Sequence, residues 1–204
     1  MNNVELFHYH FWTTEVEETE AFYSSHGFEV VGRFALENYR IKRYDLPLGW
    51  DDFRHKGLTF RMIEMSLGQV RVTFGAGRMN TFGYFGYRVN GEEHAGILRR
   101  AKEHGWGINK KERRTFLQPP TGPKIQLDWA EELPIGGKEK VQSVLITSPE
   151  PYDSYDWLTV LGAEALVPAW QEKRAFELEK VVIQGAEETE TVQDPNGVYL
   201  EFRP

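Results

Sequence analysis

Apolar and polar residues alternate at positions 7–12, where Phe7, Tyr9 and Phe11 interleave with His8, His10 and Trp12. That is the period of a strand with two different faces. The period then changes. Thr13 and Thr14 offer N-cap hydroxyls, and Glu15, Glu17 and Glu18 put negative charge where a helix dipole favours it. Val16, Thr19, Phe22, Tyr23 and His26 recur at three- and four-residue spacing, which predicts a helix with one packing stripe, ended by Gly27. A second strand opens at residues 28–31. Residues 35–57 are too irregular for one element, and the part from Tyr39 to Phe53, with Tyr44 and Trp50 among charges, reads as a lid or a long surface hairpin. Strands at 58–65 and 69–74 follow, with Val70, Val72 and Phe74 on one face of the latter and Gln69, Arg71 and Thr73 on the other. Residues 5–75 therefore read β-α-β-β-β.

The same pattern starts again at a strand over 84–89. A helix at 91–104, with Ala95, Leu98, Ala101 and Lys102 inward and Gly105 as its stop, leads to one or two strands within 108–117 and a last strand at 124–129. Residues 131–140 carry Pro134, Gly136 and Gly137 among charges and form the best linker. A third copy follows, with strands at 141–147, 163–167, 176–184 and 198–202, a helix at about 151–161, and an Asp194-Pro195-Asn196-Gly197 turn. The expected domains are 1–130, made of modules at about 5–75 and 81–130, a linker at 131–140, and a third module at 141–204.

Composition narrows the chemistry. The 204 residues carry a net charge of −7, which argues against general nucleic-acid binding. No apolar run approaches the ~18 to 20 residues of a membrane span, and the start shows no leader pattern, so a cytoplasmic protein without membrane contact is expected. There is no cysteine, which removes thiolate nucleophiles and Cys-ligated zinc.

The aromatic strand containing His8, the helix end AFYSSHGFEVVG and the closing DPNGVYLEF resemble the vicinal oxygen chelate superfamily of glyoxalases, bleomycin-resistance proteins and extradiol dioxygenases. The resemblance implies an α+β fold in which two βαβββ modules close a cup-shaped mixed sheet with helices outside, here with a third βαβββ module. It also implies a divalent metal between first and last strands. Laying the copies over one another puts His8, Tyr84 and Gln142 at the first-strand position and Arg71, Gln126 and Glu201 at the last-strand position. The quartet His8, Arg71, Tyr84 and Gln126 is a poor metal site, since a guanidinium has no lone pair to give. The expectation is therefore a cup without the usual metal or another cofactor. If a metal binds, His8 and His10 share a strand face and could chelate it with Glu64 or Asp128, with Glu201 a remote candidate.

Otherwise the cup wall offers His8, His10, Trp12, Arg71, Tyr84 and Gln126, joined by Phe60 or Arg61. It suits a small organic ligand, and an anion if Arg71 is not spent on Glu64 or Asp128. His26, His94 and His104 read as capping or surface residues, and the basic run from Arg99 to Arg114 as a solvated face. A lone third module exposes an apolar face, so 141–204 should pair with its copy in a homodimer or pack on the first domain. The functional readings are a ligand-binding protein of the resistance type, a lyase, isomerase or dioxygenase using His8 or His10, and a structural or regulatory dimer with filled cups.

Overall fold

The computed structural model describes residues 4–44, 48–111, 114–129, 136–148, 154–162, 168–173 and 176–204. The first module comprises β1 (Glu5–Thr13), α1 (Val16–Ser25), β2 (Glu29–Glu37), β3 (Arg40–Tyr44), α2 (Trp50–His55), β4 (Thr59–Leu67) and β5 (Val70–Ala76). The second comprises β6 (Thr81–Arg88), α3 (Gly91–Glu103), β7 (Gly107–Lys110), β8 (Arg114–Gln118) and β9 (Lys124–Asp128). Their strands form one mixed sheet in the order β3-β2-β4-β5-β1-β6-β9-β8-β7. Its centre is the antiparallel β1/β6 pair, flanked by the parallel pairs β1/β5 and β6/β9. This is the expected α+β cup of paired modules.

The remaining elements are β10 (Lys140–Ser148), α4 (Ser154–Leu161), β11 (Ala169–Glu172), β12 (Glu177–Gln184), β13 (Glu190–Gln193) and β14 (Tyr199–Arg203), in a second sheet ordered β11-β10-β12-β14-β13. Among the described residues, the segment expected as one βαβββ module thus shows the order βαββββ. Its pairings repeat the centre of the first sheet: β10/β11 parallel, β10/β12 antiparallel, β12/β14 parallel and β13/β14 antiparallel. The β1/β6 ladder shifts register between Leu6 and His8 and between His10 and Phe11, and the β10/β12 ladder between Val141 and Ser143 and between Leu145 and Ile146. Shifts at matching places identify β12 as a second first strand, lying where β6 lies. They also put Ser143, and not Gln142, at the position of His8. The strand expected at 163–167 and the first half of the linker, 131–135, lie outside the described residues.

Local sequence explains most elements. Tyr9 and Phe11 pack against Tyr23 of α1, as the stripe requires, and Tyr23 in turn meets Phe28 and Phe74. Phe7 departs from the alternation. It falls at the register shift, which turns its ring toward the guanidinium groups of Arg71 and Arg88 instead of the core. In α3, Asn90 caps the first turn in a capping box with Glu93. The buried face is Ile97 and Ala101, whereas Ala95 and Lys102, expected inward, are exposed. Of the two readings of 39–53, the hairpin describes its start, β3 pairing antiparallel with β2, and the lid does not hold: Trp50 of α2 donates to Glu20 on α1, the carboxylate that also holds Arg33, and Trp50 and Phe53 pack on Phe60. That removes Phe60 from the cup wall.

The apolar face of the second sheet is covered within the chain. Val144, Ile146, Leu178, Val181, Leu200 and Phe202 share one core cluster with Tyr9, Phe85 and Ile97. Phe82 meets Phe176, and Trp106 meets Trp157. The Asp194 turn completes the joint. Asp194, buried, accepts from the backbone amides of Asn196 and Val198 at 2.8 and 2.9 Å and from the Tyr23 hydroxyl at 3.2 Å, and the Tyr9 hydroxyl donates onward to Tyr23. Asn196 Nδ2 reaches Thr19 Oγ1 of α1 at 3.2 Å. Among the described residues no helix is long and apolar enough to cross a membrane.

Replacing Asp194 with Ala strands these buried donors and is expected to lower the unfolding free energy by about 2 kcal/mol or more. The exposed Gln142→Ala should stay within about 0.5 kcal/mol of the parent. Urea denaturation followed by circular dichroism measures both.

Candidate functional site

On the cup face the ladders align two rows of side chains. One runs Asn109, Phe116, Gln126, Gly86, His8 and Arg71 across β7, β8, β9, β6, β1 and β5. The adjacent row runs Lys124, Tyr84, His10, Thr73 and Glu64 across β9, β6, β1, β5 and β4. Exchanging the two modules about the β1/β6 pair carries the shift at Phe7 onto the one at Gly83. It therefore maps His8 onto Tyr84, His10 onto Gly86, Arg71 onto Lys124, Thr73 onto Gln126 and Glu64 onto Phe116.

The rings need close backbone. A Cβ on Gly86 would lie 2.7 Å from His8 Nδ1, and one on Gly83 would lie 2.6 Å from His10 Cδ2. Both imidazoles lie against glycine of the neighbouring strand. His10 also stacks on Tyr84, with centroids 4.6 Å apart, and meets the edge of Trp12.

These groups converge on one hydroxyl. Thr73 Oγ1 stands 2.8 Å from both His8 Nε2 and His10 Nδ1, and Tyr84 bonds to it as well. A hydroxyl donates once and accepts twice. His8 Nδ1 is buried without a partner, so a proton there would strand a donor. The assignment that avoids this puts the His8 proton on Nε2, donating to Thr73. Thr73 then donates to His10 Nδ1, and the Tyr84 hydroxyl fills the remaining lone pair. Burial, with His10, Arg71 and Arg114 adding to it, pushes His8 well below the usual imidazole range. Burial likewise lowers His10 to about 4, and raises Tyr84 above the usual phenol value. Both histidines are neutral at pH 7.

A cavity of about 520 Å³ opens beside Tyr84, lined also by Ile108, Asn109, Lys111, Phe116 and Lys124. Of the six side chains expected in the cup wall, all face the cup, yet only Tyr84 lines this cavity. His8, His10 and Gln126 are buried behind it, Gln126 with Oε1 unpartnered. Arg71 Nε is 2.9 Å from Glu64 Oε1, so its charge is met inside the protein. Sequence reading missed Thr73, because its part depends on register, and Lys111, which sat in a run read as a solvated face. His26 and His104 behave as expected at helix ends, bonding Phe22 O and Asp156. His94 instead reaches into the fold, bonding Thr115 at 3.0 Å and meeting Trp129 with the rings tilted by 33°.

No family model and no curated protein sequence matches the chain. Solved structures do. Homoprotocatechuate 2,3-dioxygenase of Brevibacterium fuscum aligns over 98% of this chain and 71% of its own with TM-score 0.67 at 10% identity. The halotolerant catechol dioxygenase BphC aligns over 100% and 87% with TM-score 0.67 at 12% identity. The Arthrobacter globiformis homoprotocatechuate 2,3-dioxygenase aligns over 98% and 80% with TM-score 0.63 at 11% identity. The chain shares the fold of these dioxygenases.

That likeness to dioxygenases points to a metal cofactor, which corrects the expectation of a cup with none. The residues supply a poor donor set for one. The equivalent first- and last-strand positions of the cup hold His8, Tyr84, Thr73 and Gln126, since the register aligns Thr73, and not Arg71, with Gln126 and Glu201. The second sheet has Ser143, Lys180, Ala169 and Glu201 there. Glu201 lies on β14, far along the chain's second sheet, bound to Lys180 at 3.0 Å and to Arg203, so it does not join His8 and His10. Glu64 is held by Arg71. Among the described residues no three His, Asp or Glu side chains gather as a metal site. The residues do not fit a centre of two imidazoles and a carboxylate.

The buried histidines make the fold acid-sensitive. An unfolded chain takes up a proton on His10 near pH 6.5, but the folded chain does so only near 4. Stability is thus unaffected above pH 6.5, falls by about 3 kcal/mol between 6.5 and 4 from this group, and levels off below. His8 acts in the same direction. Urea midpoints measured from pH 7.5 to 4.5 should show this decline, with a shallower slope in His10→Gln.

Proposed function

We propose that this chain binds a small organic ligand with an aromatic portion in the cup of its first sheet. The observation that carries the reading is the cavity walled by Tyr84 and Phe116, with two neutral imidazoles and a threonine hydroxyl packed behind Tyr84. Tyr84 and Phe116, edge to face at 5.3 Å, supply aromatic walls, and the cavity volume is within the range of small-molecule sites.

A second reading is oxygen-dependent ring chemistry of the kind named for the structural neighbours. It is favoured by alignment over nearly the whole chain and by two histidines on the first strand of the cup.

Binding is expected to be measurable with 2-naphthol by calorimetry, and Tyr84→Ala should weaken it about tenfold through lost aromatic contact. Absence of binding by any small aromatic probe would remove the first reading. Oxygen uptake with catechol and ferrous iron, lost in a His8→Ala/His10→Ala variant, would establish the second. Binding without uptake would leave the first alone.

A further inference from the structure

The symmetry of the cup is broken at one charged position. In the first module Arg71 of β5 is neutralised by Glu64 of β4, 2.9 Å away and buried. The equivalent pair in the second module is Lys124 of β9 and Phe116 of β8. The carboxylate is replaced by a phenyl ring, and Lys124 Nζ sits 5.8 Å from that ring's centroid. Lys124 and Lys111 both line the cavity, and among the described residues no carboxylate does. In a chain of net charge −7 this is a local reversal of sign.

We propose that Lys124, assisted by Lys111, is an anion-recognition point, and that the ligand is a planar aromatic carboxylate whose acid group takes the place that Glu64 holds in the first module. The ring then lies against Phe116 and Tyr84, and the carboxylate meets the ammonium at the open end of the cavity. Asn109, in the same row as Phe116, adds an amide at that end. Lys124, Lys111 and Asn109 are exposed at that end, so the charge-assisted contact favours an acid over its neutral analogue most at low salt. This inference rests on the cup being a ligand site, and the experiment separates the two.

Calorimetry would compare 2-naphthoate with neutral 2-naphthol, at low and physiological salt, on the parent chain and on Lys124→Gln, Lys111→Gln and Phe116→Glu. The expected result is naphthoate bound at least tenfold tighter than naphthol, with the preference lost in Lys124→Gln and reduced in Lys111→Gln, while naphthol affinity stays within about twofold. Phe116→Glu installs the missing internal carboxylate and should abolish naphthoate binding. If that variant does not fold, the lysine variants decide alone. Equal affinity for both probes, unchanged in Lys124→Gln, would overturn the anion point and leave the cup reading standing. Binding of neither probe would overturn both.

Discussion

The antiparallel pairing of β1 with β6, interrupted by two register shifts, is the constraint on which the rest of the structure depends. It places both first strands side by side, so that each module contributes half of one cup. The shift at Phe7 turns that ring toward arginines and leaves His8 on the cup face with His10. Without it, a one-residue slip would exchange the two faces and send imidazoles into the helix-side core. The glycines of β6 serve the same pairing, because any side chain at 86 would collide with His8. The same shifts recur between β10 and β12, so this pairing is repeated in the second sheet even though no helix follows β12 among the described residues.

Much of this was legible in the sequence. Alternation at 7–12, the α1 stripe and the recurrence of strand, helix and strand gave the paired modules, because each depends on contacts close along the chain. What escaped was set by register between distant strands. Gln142 and Ser143 are neighbours in sequence, and only the shift in β10 decides which one matches His8. In the same way Arg71 and Thr73 share a strand face, and nothing local says that Thr73 is the one opposite His10. The second sheet was read as one module because β12 lacks the helix that announces a first strand elsewhere. Phe60 looked like cup wall until the packing of α2 on α1 claimed it.

The site that emerges has aromatic walls and positive charge at its mouth, with neutral polar groups buried behind Tyr84. Desolvation keeps both histidines uncharged, and one threonine hydroxyl settles which nitrogen of each carries the proton. That arrangement is poorly suited to holding a cation by the residues named, and well suited to orienting a planar molecule with separate polar ends. The two modules divide the labour: the first spends its cation on Glu64, and the second keeps Lys124 facing the cavity.

The turn from Asp194 to Gly197 has a consequence for how the chain can be handled. Through Tyr23 and Tyr9 it ends on the back of the strand that carries His8 and His10, and the sheets around it share one core. The linker near residue 135 therefore looks like a place to cut and is not one. A fragment ending there would bare the back of β1 to water and leave the Tyr23 hydroxyl without its carboxylate, so the two sheets, though separate in hydrogen bonding, melt as a single cooperative unit.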